Sequence, residues 1–160
     1  MYKGIHMLTI FRTNSEDPGF VHLVRLLDED LARKNGEQNS FYSQFNKIAV
    51  IKHVVLAQVS AQAIACGAIK EYEPGVMEIK RMFTLPEYRG KGVASQVLVE
   101  LETWAKEMSY GKCILETGRN MPEPIRLYKK NGYKVISNYG QYAGVQNSIC
   151  FEKILAKAGS

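Results

Sequence analysis

Val76-Met77-Glu78-Ile79-Lys80-Arg81-Met82-Phe83-Thr84 leads through Pro86 into Arg89-Gly90-Lys91-Gly92-Val93-Ala94, and the fold turns on how these two pieces are read. The first has the composition of a strand. The second is a basic, glycine-containing turn, and behind it Val93, Val97, Leu98, Leu101, Trp104, Ala105 and Met108 recur at helical spacing. That spacing predicts a helix over 92–109 with one apolar face against a core. A glycine turn at the mouth of an anchored helix is a ready anion site. Glycine lets the backbone approach a ligand closely, and the first-turn amides together with the positive end of the helix dipole favour phosphate. Arg89 and Lys91 add positive charge in the same place.

Several phosphate loops share these ingredients, so the pattern has to separate them. A Walker loop needs Gly-Lys followed by Ser or Thr, whereas Lys91 is followed by Gly92. The dinucleotide fingerprint needs G-x-G-x-x-G, and the third position here is Ser95. What remains is Arg-x-x-Gly-x-Ala, entered from a strand and a proline turn and left through a long helix.

Working outward, the 160 residues suit one domain with a real core, and the expectation is a single domain over 1–160. Hydrophobic residues make up 46% and charged residues 23%, a globular balance. No apolar run approaches the roughly 18 to 20 residues of a membrane span, and the start of the chain lacks the organisation of a signal peptide. A cytoplasmic protein without membrane partners is expected. The net charge of +5 favours acidic ligands, but the basic residues are dispersed rather than gathered in an arm, which argues against nucleic acid. Cys66, Cys113 and Cys150 sit singly in apolar runs and read as reduced core thiols. His6, His22 and His53 are equally scattered, so no metal site is expected.

Along the chain, His6 to Arg12 reads as a first strand. Asn14, Ser15, Asp17 and Pro18 mark a helix start, and Phe20, Leu23, Val24, Leu27 and Leu31 follow at helical period until Gly36. Asn39 to Asn46, with Phe41, Tyr42 and Phe45, reads as a shorter helix or ordered loop. Strands follow at His53 to Val59, Ala63 to Tyr72 and Val76 to Thr84, rich in β-branched residues and joined by short turns. Beyond the helix over 92–109, a strand at Lys112 to Thr117 should lie parallel to the Val76 strand, because a helical crossover links the two. A short helix entered through Pro122 ends at Asn131-Gly132. Tyr133 to Ser137 and Ser148 to Lys153 are the last strands, joined by a loop carrying Tyr139 and Tyr142, and the tail from Lys157 is frayed. A meander followed by strand, helix, strand belongs to the α+β class.

The loop from Arg89 to Ala94, in this setting, resembles the pyrophosphate loop of the GNAT family of acetyl-CoA-dependent N-acetyltransferases. Ile125-Arg126-Leu127-Tyr128-Lys129-Lys130-Asn131-Gly132-Tyr133 is similar to that family's helix and following strand near the thioester, where a Leu-Tyr pair precedes Gly-Phe or Gly-Tyr. The likeness runs from about Met7 to Leu155. It implies a mixed, mostly antiparallel sheet of about six to seven strands flanked by about four helices. It also implies that the backbone of Met82, Phe83 and Thr84 pairs with the pantetheine arm. The segment Arg89, Gly90, Lys91, Gly92, Val93, Ala94 and Ser95 would hold the pyrophosphate, and Asn120 would lie against the cofactor. Ala94 stands where many members have a second glycine, and alanine is within the family's pattern.

Acetyl transfer to an amine requires a neutral nucleophile, a place for charge on the thioester oxygen, and a proton for the departing thiolate. Tyr128 is the proton donor by resemblance, its phenol ordinarily titrating near 10; the alternative is a packing residue or a contact to the coenzyme sulfur. Glu78 is the candidate base. It interrupts a strand that should be central and apolar on both faces, and charges there must border a cleft or be paired. The alternative is a structural ion pair with Lys80. Alternation puts Glu78, Lys80 and Met82 on one face and Ile79, Arg81 and Phe83 on the other. A backbone NH of the Met82 strand would meet the oxyanion.

The expected activity is transfer of an acetyl group from acetyl-CoA, the cosubstrate, to a primary amine of a small molecule or amino acid. The acceptor would be bordered by Phe41, Tyr42, Tyr139 and Tyr142, with Glu71, Glu73 and Glu116 available to attract a cation. A protein N-terminus or lysine is the alternative acceptor, and a CoA-binding module without turnover the alternative function. A homodimer through the C-terminal strands is allowed, not required.

Overall fold

The computed structural model describes residues 7–35 and 51–156. The helix or loop expected over Asn39 to Asn46, with Phe41, Tyr42 and Phe45, the stop at Gly36, the strand start at His6 and the frayed tail lie outside the described residues. In chain order the elements are β1 (Leu8–Thr13), α1 (Pro18–Asn35), β2 (His53–Val59), β3 (Gln62–Glu73), β4 (Val76–Thr84), α2 (Val93–Glu107), β5 (Lys112–Gly118), α3 (Pro122–Lys130), β6 (Lys134–Ile136) and β7 (Ser148–Ile154), with 3-10 turns at Pro86–Tyr88 and Gly140–Tyr142. The strands form a seven-stranded sheet in the order β1-β2-β3-β4-β5-β7-β6. The mixed α+β architecture expected from the sequence is therefore observed.

Two compact units make up the chain: Met1–Ile69 with Arg81–Leu101, and Lys70–Lys80 with Glu102–Ser160. In the first, β1 and β2 pair antiparallel from Leu8↔Val59 to Thr13↔Val54, and β2 pairs antiparallel with β3. Asp17 starts α1 by accepting the Gly19 amide at 2.9 Å on Oδ1, and Pro18 supplies a first helical residue that needs no donor. Phe20, Leu23 and Val24 on α1, Val54, Val55 and Leu56 on β2, and Val97, Leu98 and Leu101 on α2 are almost wholly buried. Gly67 of β3 permits the approach of α2. A Cβ there would lie 2.5 Å from Sδ of Met82 and 2.8 Å from Cδ1 of Leu101. Arg12 ties β1 to α2 through Glu100 at 2.7 Å. Trp104 and Met108, expected within the apolar stripe, are half-buried at its margin.

In the second unit β4 and β5 run parallel over Val76↔Lys112, Met77↔Cys113 and Glu78↔Ile114, as the helical crossover requires. β5 pairs antiparallel with β7 along its whole length, and β6 pairs with β7 from Lys134↔Glu152 to Ile136↔Cys150. α3 ends in a glycine cap: Gly132 has φ 91°, and the amides of Gly132 and Tyr133 reach the carbonyls of Lys129 and Tyr128 at 3.1 and 3.0 Å. β6 is shorter than the sequence suggests because Tyr133 leaves the strand. Its hydroxyl donates to Oε2 of the buried Glu102 at 2.8 Å, and Lys153 occupies the other oxygen at 2.9 Å. The β6–β7 connection is likewise more ordered than a plain loop, with Asn138 Nδ2 donating to the carbonyls of Val145 and Ser148. The three cysteines are free and buried. Among the described residues no helix is long and apolar enough to cross a membrane.

Candidate active site

The strand β4 departs from simple alternation. Arg81 has φ 61°, a value outside the extended region, so the two-residue repeat expected from Glu78 through Met82 is interrupted there. In the first unit Arg81 turns toward Asp28 of α1, 3.1 Å away, while Met82 lies beneath α2 against the Gly67 position.

Beyond this break, Phe83, Thr84 and the following turn support the loop. Gly90 and Gly92 have φ 77° and 81°, conformations that favour glycine, and a Cβ at either would meet nothing within 4 Å. Among the described residues the amides of Gly90, Lys91, Gly92, Val93 and Ala94 donate to no backbone carbonyl. The helix repeat is first anchored when Gln96 donates to the carbonyl of Gly92 at 3.2 Å. Gly90, Lys91 and Gly92 are exposed. An open run of amides at a helix N-terminus, with a lysine beside it, fits a diphosphate. Arg89 is arranged differently from the expectation. Its Nε donates to the carbonyl of Thr84 at 2.8 Å and its guanidinium lies 5.5 Å from the centre of the Phe83 ring. Arg89 braces the loop against the end of β4, and the Thr84 carbonyl is already engaged. Ser95 lies in the first turn of α2, half-buried.

The second unit holds the titratable groups. Glu78 is 7% exposed, and both its oxygens are engaged: Tyr139 donates to Oε2 at 2.7 Å, and Lys80 Nζ lies 3.6 Å from Oε1. The ion pair considered from the sequence is thus present, together with a tyrosine that only the fold brings near. Tyr139 stacks edge-on against Tyr72 at 5.1 Å and Tyr142 at 5.7 Å. Burial and then the Glu78 charge push its phenol well above the ordinary value, so it remains a donor to that carboxylate.

The strand register adds a carboxylate that the sequence could not locate. Glu78 is partnered by Ile114, paired residues share a face, and two positions further along β5 the same face carries Glu116. Ser148 of β7 donates to Oε2 of Glu116 at 2.7 Å. Burial raises the Glu116 carboxyl from 4.5 to about 7, against the Ser148 hydrogen bond and the Lys80 charge, which lower it. Its signal in the sequence is a single acid directly after the apolar run Cys113-Ile114-Leu115.

Tyr128 reaches β5 from the other side. Its ring is 6.0 Å from Phe151, which is partnered by Leu115 and therefore belongs to the face opposite Glu116 and Glu78. It also meets Tyr133 edge-on at 5.7 Å. Burial, and then the charge of Glu116, raise its phenol above the ordinary value. Tyr128 therefore keeps its proton throughout the neutral range. Asn120 is exposed just past β5, and its Oδ1 would be 2.7 Å from a Cβ on Gly118, so glycine is needed at the strand end for this side chain to fold back.

These features agree with the chain's relationships. The family model described as the acetyltransferase (GNAT) family matches residues 18–133. An IAA acetyltransferase of Azospirillum brasilense is 30% identical over 151 residues, spanning 92% of this chain and 98% of that protein. A solved structure assigned as an acyl-CoA N-acyltransferase, from Klebsiella pneumoniae subsp. pneumoniae MGH 78578, is similar with a TM-score of 0.77 at 26% identity, over 94% of this chain and 99% of that one. The PaiA N-acetyltransferase from Thermoplasma acidophilum, solved in complex with coenzyme A, shares the fold at a TM-score of 0.67 and 20% identity, over 92% and 98% of the two chains. The chain belongs to the acetyltransferase (GNAT) family and is an N-acetyltransferase.

Proposed function

We propose that residues 1–160 act as one N-acetyltransferase domain that acetylates the primary amine of a small molecule or amino acid in the cytoplasm. When bound, acetyl-CoA supplies the activated acetyl group. The observation that carries this reading is the placement of Glu78 and Tyr128 on opposite faces of the strand pair β4–β5. An amine deprotonated on one face and a thiolate protonated on the other need a base and an acid so disposed.

On this reading the amides from Gly90 to Ser95 bind the diphosphate, Lys91 adds charge, and Arg89 keeps the loop in place. Met82 and Phe83 offer backbone groups to the pantetheine arm, with Thr84 contributing through its amide side, and Asn120 lies against the cofactor. Glu78, which accepts from Tyr139 and lies beside Lys80, accepts the amine proton directly or through water. Tyr128 donates to the departing sulfur. Because burial makes it a weaker acid than a free phenol, its proton moves only as charge collects on the sulfur. The three free thiols suit a reducing compartment.

Glu116 carries a second reading of the base, favoured by a carboxyl that is half-protonated near neutrality. Release of free thiol from acetyl-CoA, screened over amines, amino acids and peptides with the Glu78→Gln, Glu116→Gln and Tyr128→Phe variants, tests all of this. Loss of rate with coenzyme affinity retained supports the enzyme and identifies its base. No turnover with any acceptor, despite tight coenzyme binding, would make the protein a binding module, and turnover with peptides alone would make it a peptide acetyltransferase.

A further inference from the structure

Arg81 combines two unusual features that the acetyl-transfer reading leaves unused. Its backbone, at φ 61°, is in a conformation that L residues adopt only where the surroundings impose it, and such positions gather at ligand sites. Its side chain is 1% exposed, yet among the described residues its Nε and Nη2 have no hydrogen-bond partner. Buried donors are otherwise almost always met. Only Nη1 is engaged, with Oδ1 of Asp28 at 3.1 Å, and the Asp28 side chain is 55% exposed, so its charge is largely spent on water.

The unmet atoms are chemically specific. Nε–H and Nη2–H lie along one edge of the planar guanidinium and point the same way, a spacing that matches the two oxygens of a carboxylate. The neighbouring Cys66, whose Sγ donates to the Arg81 carbonyl at 3.3 Å, is held protonated by burial and brings no repelling charge. In sequence Arg81 directly precedes Met82 and Phe83, the residues assigned to the pantetheine arm.

We infer that the Nε–Nη2 edge of Arg81 is a binding site for a carboxylate group. The carboxylate site rests on Arg81 alone and is independent of the proposed acetyl transfer. The bound group would satisfy both donors and add the counter-charge that Asp28 supplies only in part.

Calorimetry on the full chain, with and without coenzyme A, needs no turnover. The probes are 3-phenylpropionate, succinate and acetate, with 3-phenylpropionamide as the uncharged match. Saturable binding of a carboxylate, at least tenfold weaker binding of the amide, and at least tenfold weaker carboxylate binding by Arg81→Gln are expected. Asp28→Asn, which keeps the arginine and removes its competing anion, should bind the carboxylate more tightly, and this comparison stands even if Arg81→Gln does not fold. Equal binding of acid and amide, equal competition by chloride, no carboxylate binding by either wild type or Asp28→Asn, or unchanged binding by a folded Arg81→Gln would overturn the inference. Carboxylate binding with no acetyl transfer to any small amine or amino acid would sink the proposed acceptor class and leave the site. Transfer to an amine by a chain that binds no carboxylate would do the reverse.

Discussion

The loop from Arg89 to Ser95 and the group around Glu78 are built on opposite plans. The loop is backbone: its glycines take φ 77° and 81°, the amides of Gly90 to Ala94 donate to no backbone carbonyl among the described residues, and the Arg89 side chain is turned back onto β4. The Glu78 group is side chains: carboxylates in the sheet held by a phenol and a hydroxyl from distant parts of the chain and by the ammonium of nearby Lys80. A site made of amides should tolerate changes of side chain and fail with changes of φ. A site made of buried titratable groups should do the converse.

The largest expected effect breaks the second plan. Glu78→Gln or Tyr128→Phe should lower kcat by about 10² to 10⁴, the range for removing a positioned acid or base, with the Kd for acetyl-CoA nearly unchanged. Steady-state kinetics beside direct coenzyme binding would check this, and equal losses in both would merge the two regions into one.

Glu116 sharpens the comparison through pH. Its carboxyl titrates at about 7 in the fold against an ordinary 4.5, so between those values the folded chain holds a proton that the unfolded chain has lost. Its ionisation therefore weakens the fold as pH rises through this window, by up to about 3 kcal/mol. Urea unfolding from pH 5 to 8 should show Glu116→Gln gaining on wild type as pH increases; parallel profiles would mean that Glu116 is not desolvated.

For the loop, Gly92→Val should weaken acetyl-CoA binding about tenfold or more, because a β-branched residue resists positive φ by about 1–2 kcal/mol, whereas Lys91→Ala should cost only a few-fold. The reverse order, measured by calorimetry, would make the loop a side-chain site. The smallest effect is an absence of reaction. Burial raises the thiols of Cys66 and Cys113 to about 12 and that of Cys150 to about 11, so a disulfide reagent at neutral pH should find no fast-reacting thiol until the chain unfolds.

The same contrast explains what could be read from the sequence. The loop was legible because its chemistry is written in consecutive residues, and β2 and β4 were bounded correctly because β-branched runs and turn residues are local signals. Glu78 stood out as a charge on an inner strand. Its partner Tyr139 is 61 positions away, and Ser148 is 32 positions from Glu116. No local pattern encodes those pairs; they follow from the strand register and the ordered turn at Gly140–Tyr142. The break at Arg81 was hidden because Arg is not a residue that announces positive φ, and alternation read through it gave the wrong phase. Arg89 stood out as a phosphate ligand by charge, and in the fold its Nε donates to the carbonyl of Thr84.

A crystal structure of the chain with coenzyme A tests the central claim most directly. The account predicts the diphosphate within hydrogen-bonding distance, about 3 Å, of amides between Gly90 and Ser95, with the sulfur end beside the Tyr128 hydroxyl. A diphosphate bound elsewhere, or those amides turned to other protein groups while the coenzyme is bound, would contradict it.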